Sequence, residues 1–182
     1  VKPIVNILIG LVAIVLLGAM MLTNPDYNSA VRPFVTSVKP GESGETRLIS
    51  GRFENWRSAD RIQFSRYGTE ITRDTDGIFL VADFVLSGTR ESTMLSATWV
   101  GASKRRYRAT SRIADVPGQI DQLWLQPGMN SKTFAIFELP PDEIEGGSAL
   151  LSLRLDPPLD GTLLLAPPDS PPAHEAILRL GP

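Results

Sequence analysis

The chain of 182 residues contains no cysteine and one histidine. The first absence excludes disulfides, thiol nucleophiles, iron–sulfur clusters, cysteine zinc sites and lipid attachment through a lipobox. The second leaves His174 alone between Pro172 and Glu175, read as a solvated loop residue ahead of a general base. No Gly-x-Ser-x-Gly elbow, P-loop or Rossmann fingerprint occurs. A formal charge of −2, with the arginines spread out, gives no argument for nucleic acid. No cofactor is implied, and an enzyme would need a site of carboxylates and arginines alone.

Only one long apolar run is present. Ile4 to Leu22 is interrupted by the single polar residue Asn6. At about 1.5 Å per residue it just crosses a hydrocarbon core of roughly 30 Å. It is longer than a typical signal-peptide core, and Gly18-Ala19-Met20 is a poor cleavage site; Asn28-Ser29-Ala30 is better but lies well past the run. The expectation is an uncleaved anchor over residues 1–23. At 100° per residue, Asn6, Gly10, Ala13 and Leu17 share one face, a surface on which small residues and an amide would suit a second membrane helix. Lys2 precedes the run and Arg32 is the first cation after it, so the N-terminus is expected inside and the rest outside.

Residues 24–45 hold Pro25, Pro33, Pro40, Gly41 and Gly44 and read as a semi-stiff linker. From Thr46 the pattern is β. Arg47 to Phe53 and Arg61 to Arg66 are short candidate strands, the second with Ile62 and Phe64 inward. Glu70 to Arg73 continues or pairs with it, and Asp74-Thr75-Asp76-Gly77 is a turn more than a fragment of a calcium loop. Ile78 to Leu86 is the clearest strand. Ile78, Leu80, Ala82, Phe84 and Leu86 line one face; Phe79, Val81 and Val85 line the other, as in a strand covered on both sides. Asp83 inside it needs a cation such as Arg61 or Arg66. Leu95, Ala97 and Trp99 share a face, with Arg105 to Ala109 as a short partner. Lys132 to Leu139, Ala149 to Leu155 and Thr162 to Leu165 are further strands. A proline-rich hairpin leads to a last strand at Ala176 to Leu180. Seven or more short strands between turn signals predict an all-β, immunoglobulin-like antiparallel β-sandwich over residues 46–182, with a C-terminal hairpin and a single N-terminal transmembrane α-helix.

Three blocks carry a family resemblance. Gly77 to Ser87 resembles one strand of a widespread group of bacterial envelope domains. Leu95 to Tyr107 is similar to that group's next hairpin. Leu125-Gln126-Pro127-Gly128 followed by Lys132 to Pro140 is similar to its proline–glycine turn and strand. The likeness covers roughly Gly68 to Leu155 and departs at Ser87-Gly88, where the group has Asn. It implies a telokin-like, immunoglobulin-type sandwich held by a lipid or a single helix, hence the bacterial inner membrane with the domain on the outer side. It carries no catalytic residues.

Two surfaces remain as contact candidates. Lys104, Arg105, Arg106 and Arg108 form the densest basic stretch, read as a solvated hairpin end or as a face for acidic groups. Trp124 is read first as core and second as an exposed interface aromatic. Asp142, Glu143 and Glu145 read as an acidic solvated turn. The functional expectation is a non-catalytic accessory subunit docked on an integral membrane protein complex and the lipid bilayer. The alternative is an anchored module that binds a small molecule, peptide or glycan.

Overall fold

A computed structural model describes residues 2–23, 34–154 and 161–181. The chain divides into two units, Val1–Arg32 and Pro33–Pro182. In the first, α1 (Lys2–Thr23) is one uninterrupted helix of 22 residues, about 33 Å long. Pro3 sits in its first turn, where a missing N–H costs nothing, and the Thr23 hydroxyl donates to the Ala19 carbonyl at 2.8 Å at the far end. The helix is long and apolar enough to cross a membrane. Asn6, Gly10, Ala13 and Leu17 lie along one stripe of it.

The second unit is a β-sandwich. One sheet has the order β1 (Val35–Val38), β9 (Thr162–Leu165), β8 (Ser148–Leu153), β5 (Leu95–Val100), β6 (Arg106–Arg108). The other has the order β10 (Ala173–Leu180), β3 (Ile49–Arg66), β4 (Thr69–Gly88), β7 (Ser131–Leu139), with the short β2 (Gly44–Glu45) on β3. Most pairings are antiparallel, as expected. Two at the sheet edges are parallel, β1 with β9 and β10 with β3.

The alternation in β4 does what its sequence dictates. Leu80, Ala82, Phe84 and Leu86 enter the core between the sheets, where they meet Leu95, Ala97, Trp99, Leu151 and Leu163. Phe79 and Val81 face outward, yet are fully buried. A second apolar cluster covers them: Ala59, Ile62, Phe64 and Ile136 from the same sheet, Leu178 and Leu180 from β10, and Ile113 and Val116 from the segment between β6 and β7. The inner face of the central strand is thus dry along Leu80 to Leu86, and the outer face is dry at Phe79 and Val81, while Asp83 and Val85 beyond them are half-buried.

Five expectations need correction. Residues 34–45 belong to the sandwich, because β1 adds to β9 and Val38 is buried; the remaining linker residues lie outside the described ones. The two candidate strands near Arg47 and Arg61 are one strand, β3, interrupted by irregularities at Phe53/Asn55 and Ala59/Arg61. Asp74 to Gly77 is not the hairpin turn. Ala59 pairs with Phe79 and Arg61 with Asp74, so residues 75–78 bulge within β4, and the turn falls at Tyr67-Gly68. The C-terminal hairpin does not form. β9 and β10 lie in opposite sheets, and the proline-rich run between them crosses over, held where the Trp56 indole donates to the Ser170 carbonyl at 2.8 Å. Prolines cannot feed a ladder, so that run suits a crossover. His174 is then a β10 residue, not a loop residue.

Candidate functional site

The basic stretch sits on a hairpin whose geometry is fixed from below. β6 is an edge strand, with Trp99 opposite Tyr107 and Val100 opposite Arg106. Gly101 and Arg105 close the connection through a Gly101 N–H to Arg105 carbonyl bond of 2.9 Å. Beneath it lies Glu143, which is buried, not solvated as its acidic neighbours suggested. Its carboxylate accepts from the Ser103 amide at 3.0 Å and from the Ser103 hydroxyl. Those bonds hold its pKa below the usual carboxylate range, against the opposing pull of desolvation; the nearby Tyr107 hydroxyl and the Arg105 charge act in the same lowering direction. Tyr107 is pushed up, first by desolvation and then by the negative charge of Glu143. The Glu143 carbonyl accepts from the fully buried Trp99 indole at 2.9 Å. Gly101 leaves the space: a Cβ there would stand 2.1 Å from the Glu143 carboxylate. The result is a pinned hairpin that presents Lys104, Arg105, Arg106 and Arg108 to solvent.

Trp124 does not join this surface. Leu125 pairs with Thr93, just before β5 begins, whereas Arg106 pairs with the last residue of β5. At roughly 3.3 Å per residue the two lie on the order of 20 Å apart. Leu123 and Leu125 turn inward, so alternation turns Trp124 outward, and it is 58 % exposed. The core reading of Trp124 is therefore corrected, while Trp56 and Trp99 fill the core with Phe53 and Phe137.

Asp83 finds neither Arg61 nor Arg66. Its partner is Arg57, at 3.2 Å, while Arg66 pairs with Asp115 at 2.6 Å. Asp83 faces outward from β4, opposite Asn55 on one side and Phe134 on the other. Burial raises its pKa, and the Arg57 charge only partly offsets this. The Arg57 Nε has no hydrogen-bond partner although it is buried. Asp83 lines an open depression of about 500 Å³ with Glu54, Asn55, Lys132, Thr133 and Phe134. Charged, amide and aromatic groups converge there, which suits a small polar molecule.

The lone histidine has suggestive neighbours. The Ser58 hydroxyl is 3.1 Å from His174 Nδ1, and Asp60 is 3.6 Å from His174 Nε2. The second distance is too long for a hydrogen bond. Ser58 is buried and cannot meet a substrate carbonyl. The contact ties β10 to β3. Among the described residues, no three His, Asp or Glu side chains gather as metal ligands.

No protein-family profile matches the chain, and no curated protein matches it. Two solved structures are similar. The yjhA protein from Bacillus subtilis shares 10 % identity at a TM-score of 0.47, over 70 % of this chain and 99 % of its own. An uncharacterized β-sandwich protein from Clostridium difficile 630 shares 10 % identity at 0.46, over 74 % of this chain and 95 % of its own. The likeness is of that order only and carries no functional argument. The class is defined by the strand pairing itself: a β-sandwich preceded by one apolar helix.

Proposed function

We propose that this protein is a non-catalytic contact module, anchored by α1 and working as an accessory subunit of an integral membrane complex on the outer side of a bacterial inner membrane. The envelope-domain motifs support the compartment. The pinned basic hairpin supports the contact: Arg105, Arg106 and Arg108 stand exposed on an edge strand whose connection is already ordered by Glu143 and Trp99. A hairpin backbone that is already ordered loses little freedom on meeting an acidic surface, and guanidinium groups bind carboxylates in a fixed geometry.

Purification in a mild detergent tests this. A stoichiometric partner should accompany the chain, and Arg106→Glu with Arg108→Glu should release it without moving the unfolding temperature. A monodisperse chain free of any partner contradicts the proposal. The Asp83 depression favours a second reading, in which the sandwich holds a small polar molecule. Titration calorimetry with amino acids, sugars and short peptides tests it. Binding that Lys132→Ala abolishes supports it, and no heat with any of them contradicts it.

A further inference from the structure

The exposed apolar side chains of the sandwich are not evenly spread. Phe34 is 82 % exposed, Trp124 58 % and Met129 59 %. Strand pairing places all three at one end. Val35 is level with Thr162 at the start of β9, and β9 pairs with β8, whose far end carries Leu153 beside Leu95. Leu125 bridges Thr93, Pro127 bridges Gly88, and the Gly128 amide donates to the Gly88 carbonyl at 3.2 Å. This is the end at which the chain enters the sandwich from α1. The other half carries the basic hairpin, Ile177 of β10 level with Arg61, and, among the described residues, one exposed aromatic, Tyr67, beside the Arg66–Asp115 ion pair.

We infer that the end bearing Phe34, Trp124 and Met129 rests in the headgroup interface of a lipid bilayer. Three observations favour lipid over a protein occupant. Trp is the side chain most suited to that layer, with an apolar ring and one N–H for the headgroups. Residues 24–33 span at most about 36 Å when extended, so the end they lead into stays within reach of the membrane. The charges nearby are mixed, with Arg47, Arg90 and Arg154 against Glu45 and Glu91, which fits a zwitterionic surface better than a strongly charged partner. The inference rests on the anchor reading above and adds an orientation to it: the basic hairpin then points away from the bilayer, toward a partner.

The test uses the full chain reconstituted in phosphatidylcholine vesicles. Trp56 and Trp99 are buried, so subtraction of the Trp124→Phe spectrum isolates Trp124. Lipids brominated high on the acyl chain should quench most of the Trp124 emission, also at high salt, and Phe34→Ser with Met129→Ser should reduce that quenching severalfold. Trp124 quenched by aqueous iodide but not by bromolipid overturns the inference. So does protection from both quenchers, which would mean that protein covers it. Flotation after a carbonate wash reads the anchor separately: a chain that floats without bromolipid quenching fails only the docking inference, and one that does not float fails both.

Discussion

Gly147→Ala should loosen the platform under the basic hairpin. A Cβ at Gly147 would sit 2.5 Å from Trp99 Nε1, 2.6 Å from Cε2 and 2.7 Å from Cζ2. Trp99 is fully buried between Trp56 and Phe137, with ring centroids 6.0 Å away on each side, so it has nowhere to move freely. Overpacking of this kind costs about 1–3 kcal/mol, and a displaced indole N–H loses its acceptor at a further cost of roughly 1 kcal/mol. The sum is about 2–4 kcal/mol. For a domain of this size each kcal/mol moves the midpoint by about 2–4 °C, so the expected fall is on the order of 10 °C. The assay is thermal unfolding of the full chain in detergent, followed by near-ultraviolet circular dichroism. Trp99→Phe removes the clashing atoms, so the double variant should be more stable than the two single losses predict, by at least about 1 kcal/mol. A fall below about 2 °C, or strict additivity of the two variants, would refute the packing argument.

Three further outcomes follow from single groups. Glu143 has a depressed pKa, so its stabilising contribution is present above the ordinary carboxylate range and lost as pH falls through its folded value. Glu143→Gln should lower the urea midpoint at neutral pH and flatten the acid arm; an unchanged acid arm argues against the clamp. Asp83 has the opposite sign: its raised pKa favours the fold below the ordinary carboxylate range, an advantage lost as pH rises through the folded value. Asp83→Asn should therefore leave the neutral-pH midpoint unchanged or higher, and a drop of more than about 1 kcal/mol would show that the Arg57 pair outweighs burial. Tyr67 is held at φ 50 in a two-residue turn with Gly68 at φ 78, a conformation that Asn adopts more readily. Tyr67→Asn should stabilise by about 0.5–1 kcal/mol in chemical denaturation; a loss would mean that the Arg66 guanidinium, 5.5 Å from the centroid of the exposed ring, outweighs the backbone preference.

Local periodicity carried much of the fold. The alternation of Ile78 to Leu86 declared a strand covered on both sides because every residue but Asp83 is apolar and every second one faces the same layer. Leu95, Ala97 and Trp99 were legible for the same reason, as was the short partner at Arg105 to Ala109, of which Arg106 to Arg108 form β6. What stayed hidden depended on remote partners. Val35 to Val38 looks like linker because its mate, β9, follows more than a hundred residues later and pairs in parallel. The proline-rich run resembles a hairpin because nothing local says that Ala173 to Leu180 joins the opposite sheet. Glu143 read as solvated because Ser103, the donor that satisfies it, is distant in sequence. Asp83 invited a cation, but the choice of Arg57 over Arg61 or Arg66 follows from the register of β3 against β4. Trp124 was legible only as a choice between core and surface; Leu123 and Leu125 both face inward, and a period of two then sends the tryptophan out.

If the protein is a contact module, its basic hairpin touches a partner in the native membrane. A photoreactive phenylalanine analogue at position 106, activated in intact cells, reads this directly. The expected result is one adduct of defined mass that disappears with Arg105→Glu and Arg108→Glu. No adduct, or one indifferent to those two charges, would contradict it.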